Sequence, residues 1–271
     1  MELQRIVKTE HADLAVTMHY PEKEGKEETL PLILFCHGFT GNRIGADRLF
    51  VQAARHFSEA GYLAVRFDYG GCGESTGSYG DGGMEQLVRE TRIMLDYTLS
   101  FDCVDLSRVT LLGHSLGGAV AVQTAFRDRR VKRLVLWAPV AHPLADIVRI
   151  IGPEAHREII AAGKTDYLGY TLTGRFLQSL ADSHPLQETR QIRGDVLVLH
   201  GAEDEVITSE SAYLYQRAFW LRSDGVSDKE ILPKADHSFT GQDVRRRLFG
   251  LTADWLHIHD PKNGEWNHYV I

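Results

Sequence analysis

The pentapeptide Gly113-His114-Ser115-Leu116-Gly117 constrains this chain more than any other stretch. It follows the apolar run Val109-Thr110-Leu111-Leu112 and precedes Gly118-Ala119-Val120-Ala121-Val122, which reads as the start of a helix. A G-x-S-x-G sequence between strand and helix requires a turn so sharp that the serine takes a strained backbone conformation. Its flanking glycines let neighbouring chain pass where a Cβ would clash. Such a turn holds a hydroxyl clear of the sheet at the N-terminus of a helix, where developing negative charge is favoured.

The pattern around this turn is that of a parallel sheet covered on both faces, with short apolar runs alternating with helical segments. Buried strands are expected at residues 32–36, 63–67, 109–112, 133–137 and 196–200, with a last strand near 229–232. Helices are expected near 48–60, 84–99, 116–127, 210–221 and 243–258. Residues 3–7 and 14–20 alternate enough to open the chain as an antiparallel pair, followed by a charged turn at 21–29. One stretch breaks the rhythm. From residue 140 to about 190 the chain is too long for an ordinary crossover and carries helical material at 145–151, 154–162 and 175–180 around an aromatic, glycine-rich middle. The expected organisation is therefore a core of residues 1–139 and 191–271 with an inserted lid at 140–190.

Composition narrows the function classes. A chain of 271 residues can bury a full core, and a net charge of −7 with no long Lys/Arg cluster argues against a nucleic-acid surface. Arg245-Arg246-Arg247 is the densest basic run and reads as the solvated face of the last helix. Three cysteines, Cys36, Cys72 and Cys103, form no C-x-x-C pair, which fits a reducing compartment and offers neither a disulfide framework nor a zinc site. The start of the sequence has no signal-like segment and no apolar run spans a bilayer, so a cytoplasmic protein without a membrane span is expected.

A serine hydroxyl needs a base to take its proton, and the base needs an orienting acid. Around a turn of this kind the acid and then the histidine follow in loops after later strands. After the strand at 196–200 the sequence Gly201-Ala202-Glu203-Asp204-Glu205 offers three acids; Asp204, three residues past the glycine turn, is the expected orienter, and Glu203 and Glu205 are expected to face solvent. A turn-capping aspartate is the competing role. Of thirteen histidines, His237 alone follows the last strand and precedes the last helix, which makes it the expected general base. Two backbone N–H groups should serve the oxyanion: that of Leu116, after the nucleophile, and that of Phe39, in the loop His37-Gly38-Phe39-Thr40-Gly41-Asn42. His37 reads as structural. The glycine-rich loop at 70–80 lacks the lysine of a phosphate-binding loop and reads as a wide turn after a strand, with Cys72 unreactive within it.

With the motif at His37-Gly38-Phe39, the stretch Arg66-Phe67-Asp68-Tyr69-Gly70-Gly71-Cys72-Gly73-Glu74-Ser75, the serine turn, Asp204 and His237 together, the chain resembles an α/β-hydrolase over nearly its whole length. Within that superfamily it is most similar to the cinnamoyl (feruloyl) esterases of gut and soil bacteria. The likeness rests on His37-Gly38-Phe39-Thr40-Gly41-Asn42-Arg43, on Arg66-Phe67-Asp68, and on Asp166-Tyr167-Leu168-Gly169-Tyr170 in the insertion. The resemblance implies hydrolysis of hydroxycinnamoyl esters through an acyl-enzyme, no metal or organic cofactor, and a homodimer. It also implies that lid residues hold the aromatic ring and its phenolic hydroxyl, for which Asp166, Tyr167 and Tyr170 are the candidates. One position departs from the group's pattern: Leu116 stands where many members carry glutamine.

Leucine at that position is common among general carboxylesterases and monoacylglycerol lipases, which are the alternative reading. Thioesters and peptides remain open because triad chemistry does not fix the leaving group. Haloalkane dehalogenation would need an aspartate where Ser115 stands. A non-catalytic binding protein on the same fold would be expected to show a broken triad. The aromatic stretch Trp266-Asn267-His268-Tyr269-Val270-Ile271 is expected to pack on the body or on a second subunit.

Overall fold

The computed structural model describes residues 1–22 and 29–261. The charged turn expected at 21–29 and the aromatic stretch at 266–271 thus fall largely or wholly outside the described residues. The chain opens with β1 (Glu2–Lys8) and β2 (Asp13–His19), an antiparallel pair as the alternation predicts. β3 (Leu30–Cys36) leads to helix α1 (Leu49–Glu59), and β4 (Leu63–Phe67) to α2 (Tyr79–Leu99). β5 (Val104–His114) runs into α3 (Leu116–Arg127), and β6 (Arg133–Trp137) into the insertion. The insertion consists of α4 (Pro143–Ala162), a hairpin of β7 (Lys164–Tyr167) and β8 (Tyr170–Thr173), α5 (Gly174–Ala181) and the short α6 (Pro185–Glu188). β9 (Asp195–Gly201), α7 (Glu210–Phe219), β10 (Ser227–Leu232) and α8 (Gln242–Ile258) complete the chain.

Eight strands form one sheet in the order β1-β2-β4-β3-β5-β6-β9-β10, and every pairing from β4 to β10 is parallel. Alternation along β3 shows how the sheet divides two apolar layers. Leu32, Leu34 and Cys36 pack with α2, α3 and α7 residues such as Met84, Val120 and Tyr215. Ile33 and Phe35 face the other way, against Phe50 and Phe57 of α1 and Leu248 and Leu256 of α8. Burying both faces is why these strands read as continuous apolar runs.

The insertion departs from expectation in its middle. Its first helix is broken at Gly152 (φ 82°, ψ 167°) just before Pro153, which matches the two expected helical stretches. Between α4 and α5, however, the chain forms the β7–β8 hairpin. Leu168 and Gly169 turn it with positive φ at both positions, as a type I′ turn requires. The hairpin sits on the start of α2: Thr173 Oγ1 donates to the Gly80 carbonyl at 2.7 Å, and a Cβ on Gly80 would stand 1.9 Å from the Thr171 carbonyl oxygen. Among the described residues no helix is long and apolar enough to cross a membrane.

Candidate active site

β3, β5, β6 and β9 are adjacent parallel strands, so the loops leaving their C-terminal ends share one edge of the sheet. At the end of β5, Ser115 takes φ 57° and ψ −125°, outside the regions an L-residue ordinarily occupies. Three backbone hydrogen bonds hold it there. Its N–H donates to the Trp137 carbonyl at 3.0 Å, and its own carbonyl accepts from Gly118 at 2.9 Å and Val140 at 3.0 Å. The glycines are sterically required. A Cβ on Gly113 would lie 2.3 Å from the Gly117 carbonyl oxygen, and one on Gly117 would lie 2.1 Å from that of Cys36. Ser115 is 5% exposed.

The loop after β3 passes close beside the serine: a Cβ on Gly38 would be 3.0 Å from Ser115 Cβ and 3.5 Å from its Oγ. His37 shapes this loop. Its Nδ1–H donates to the Gly38 carbonyl at 2.9 Å and its Nε2 accepts from the Tyr69 N–H at 3.1 Å. Burial pushes the imidazole down to about 4, so it stays neutral in that one tautomer. Further on, Arg43 donates its backbone N–H to Asp68 Oδ1, and its guanidinium pairs with Asp68 and Glu74. The glycine-rich turn at 70–80 thus wraps the buried Asp68 carboxylate and braces the loop that carries Phe39. It does not open a phosphate cradle.

Asp204 sits in the turn after β9 and divides its oxygens between two tasks. Oδ1 accepts from the N–H groups of Val206 (2.9 Å) and Ile207 (2.8 Å), the turn-capping role. Oδ2 accepts from His237 Nδ1–H at 2.7 Å. His200 Nε2 lies 3.1 Å from the same Oδ2 and 2.8 Å from the Ile207 carbonyl. Burial would raise this carboxyl, but the hydrogen bonds from His200 and His237 outweigh it and hold the group well below the usual carboxylate range. Glu203 and Glu205 are exposed. With Nδ1–H spent on Asp204, neutral His237 keeps Nε2 as its acceptor nitrogen. His237 and Ser115 line one cavity of about 320 Å³, together with Gly38, Phe39 and His114.

Two histidines in this arrangement escape a reading of the sequence. His114 donates Nε2–H to the His237 carbonyl at 2.8 Å, and His200 braces Asp204. The only hint in the sequence is that each ends a strand whose following loop carries a candidate residue.

The lid candidates part company. Tyr167 packs its ring 5.7 Å from that of Phe39, and Tyr170 packs 5.7 Å from Tyr79, which in turn lies 6.1 Å from Phe39. Asp166 lies apart from these rings: strand alternation sends it to the opposite side of β7 from Tyr167, it is exposed, and its Oδ1 accepts from Gly169 N–H across the turn. None of the three lines the cavity at Ser115. A second, larger cavity of about 590 Å³ lies within the insertion, walled by Pro143, Leu144, Val148, Leu180 and Leu186. Among the described residues no group of three or more His, Cys, Asp or Glu is placed to hold a metal ion.

Comparison with known proteins agrees with this architecture. A family model described as alpha/beta hydrolase fold matches residues 31–157, a stretch that contains Phe39 and Ser115 and ends before Asp204 and His237. The solved structure of Est1E from Butyrivibrio proteoclasticus with ferulic acid bound superposes with a TM-score of 0.80 at 20% identity, covering 94% of this chain and 98% of that one. The chain has the α/β-hydrolase fold. An Escherichia coli protein described as an uncharacterized 31.7 kDa protein in the traX-finO intergenic region is 36% identical over 122 residues, 45% of this chain and 41% of that protein. The palmitoyl-protein thioesterase ABHD10 of Rattus norvegicus is 24% identical over 230 residues, 81% of this chain and 69% of that protein. In the α/β-hydrolase frame, β5 and α3 supply the serine turn, while β9 and β10 lead to the loops of Asp204 and His237.

Proposed function

We propose that this α/β-hydrolase is a serine carboxylesterase that cleaves small carboxylic esters, hydroxycinnamoyl esters foremost, through an acyl-enzyme. The reading is carried by the 2.7 Å contact between Asp204 Oδ2 and His237 Nδ1, with His237 and the strained Ser115 on one cavity. Ser115 Oγ attacks the ester carbonyl carbon as its proton passes to His237 Nε2. The resulting imidazolium is oriented and balanced by Asp204. The N–H groups of Phe39 and Leu116 receive the oxyanion. Collapse returns the carbonyl, and His237 protonates the departing alkoxide to release the alcohol. Water, deprotonated by His237, then attacks the acyl-enzyme, and the carboxylic acid leaves as Ser115 regains its proton.

An aromatic acyl group is supported by the Phe39, Tyr79, Tyr167 and Tyr170 rings that join the loop beside Ser115 to the insertion, which we take to be a lid. It is supported too by the likeness in fold to Est1E, whose structure holds ferulic acid. The unpaired thiols Cys36, Cys72 and Cys103 suit a cytoplasmic setting. Thioester cleavage is the second reading. It is favoured by the similarity to the rat palmitoyl-protein thioesterase and by the apolar cavity of the insertion, which has room for an alkyl chain.

Ser115→Ala and the wild type, compared on methyl ferulate, p-nitrophenyl butyrate and a long-chain acyl thioester, test the assignment. The variant is expected to keep the wild-type Tm and lose labelling by a fluorophosphonate. Its turnover on every substrate should fall by roughly 10⁴-fold or more. Turnover surviving in the variant overturns the nucleophile assignment. A higher kcat/KM for the thioester than for methyl ferulate replaces the cinnamoyl reading with the second one.

A further inference from the structure

Ser115, Asp204 and His237 come from three loops far apart in sequence. Residues between β10 and α8 take positive φ at Lys234 and Phe239; inside the loop the Phe239 N–H donates to the Asp236 carbonyl at 3.2 Å, and the Ala235 and Phe239 carbonyls accept from Glu203 N–H and Arg245 Nε–H outside it. One side chain from the nucleophile's own strand crosses to this loop. His114, the residue before Ser115 and 9% exposed, donates Nε2–H to the His237 backbone carbonyl at 2.8 Å. Its ring lies 4.9 Å from the His237 ring at 37°, and the rings of Phe50 and Phe239 flank it at 6.0 and 6.2 Å.

We propose that His114 is a positioning residue for His237: a strut that sets the height and tilt of the base relative to the serine next to it in the chain. This rests on reading His237 as the general base. The hydrogen bond fixes the backbone of residue 237, and the ring contact limits rotation of its side chain. Because Ser115 is covalently attached to the strut, nucleophile and base share one reference point although 122 positions separate them. The charged and titratable groups facing His114 are His237, Asp204 and His200. Burial and the neighbouring His237 hold its imidazole down at about 3. It therefore stays neutral while His237 becomes cationic during turnover, and the adjacent pair never carries two positive charges.

The two contacts can be separated. His114→Phe keeps a ring and loses the donor; His114→Gln loses the ring and keeps an amide N–H at a similar reach. With p-nitrophenyl acetate, His114→Phe is expected to lower kcat by up to about 10²-fold with little change in KM, as misplacement of a catalytic group by about 1 Å does. His114→Gln, which keeps the donor, should recover most of kcat. Should the phenylalanine variant fail to fold, the wild type supplies the decision through ¹⁵N NMR of its histidines. His114 is then expected as the Nε2–H tautomer with no titration through neutral pH, and a titrating or Nδ1–H His114 overturns the proposal. Wild-type kcat in a folded His114→Phe, or a His114→Gln no better than His114→Phe, overturns it equally. His237→Ala separates this from the parent reading: activity retained there discards the base assignment itself, whereas activity lost there with His114→Phe unaffected discards only the strut.

Discussion

At the scale of single residues, the serine turn is a strained point held by its surroundings. A residue at the φ and ψ of Ser115 costs on the order of 1–3 kcal/mol, and three backbone hydrogen bonds from two neighbouring segments keep it there. The glycines around it are spaces that other backbone fills. Gly117→Ala would place a methyl 2.1 Å from the Cys36 carbonyl oxygen and 2.5 Å from that of His37, both backbone atoms with nowhere to go. It should cost about 3 kcal/mol or more by urea unfolding, or prevent soluble accumulation. Gly250, inside α8 with nothing within 4 Å of its would-be Cβ, supplies the contrast. Gly250→Ala should stabilise by up to about 1 kcal/mol. Equal unfolding midpoints for the two variants would show that the packing described around Gly117 is wrong. The motif is legible in sequence because its constraint is local: five consecutive residues record one turn. His114 and His200 are not legible in that way, since what they do depends on where the His237 carbonyl and Asp204 Oδ2 lie, and no spacing encodes that.

Among elements, the strands buried on both faces announce themselves and the hairpin of the insertion does not. β4 and β6 fall on the expected residues 63–67 and 133–137 because a run apolar on both faces has few other places to go. β7 and β8 are four residues each, form a separate two-stranded sheet, and are turned by Leu168-Gly169, which is not a turn signature. Position 168 carries a leucine at φ 53° with its side chain 78% exposed. A left-handed conformation costs a leucine about 1 kcal/mol, and asparagine tolerates it in type I′ turns. Leu168→Asn is therefore expected to stabilise the protein by about 1 kcal/mol in urea unfolding, with no loss of packing. A lower midpoint would mean that position 168 does not carry the strain assigned to it. Asp166 belongs to the same lesson. The resemblance offers it as a candidate for the phenolic hydroxyl, and the two-residue period of β7 places it on the face opposite Tyr167, beside the turn.

Across the whole molecule, the sheet and the loops at its edge enclose three histidines that must be neutral for the fold to close. His19 accepts from the Arg66 guanidinium at 3.1 and 2.9 Å and is lowered by burial, then by Arg66, to about 4. Burial holds His37 at about 4, and burial followed by His237 holds His114 at about 3. In the unfolded chain each would titrate near 6.5. A folded value below the unfolded one means that between 6.5 and about 4 the unfolded chain binds up to three protons that the folded chain refuses. Stability from these groups is thus complete above 6.5 and is lost as pH falls toward their folded values. Each proton contributes a slope of about 1.4 kcal/mol per pH unit, so three together give up to about 4 kcal/mol per unit. Against a total of about 5–15 kcal/mol, that is enough to unfold the protein within a few units of acidification. The depressed carboxylate of Asp204 acts with the same sign but at lower pH, where it must finally be protonated. The urea midpoint should accordingly be flat near neutrality, fall steeply below 6.5, and fall with a slope reduced by one proton in His114→Gln, which has no imidazole there to charge. A midpoint that does not change across this range would mean that these imidazoles are protonated in the folded protein and that the neutral tautomers assigned to His37 and His114 are wrong.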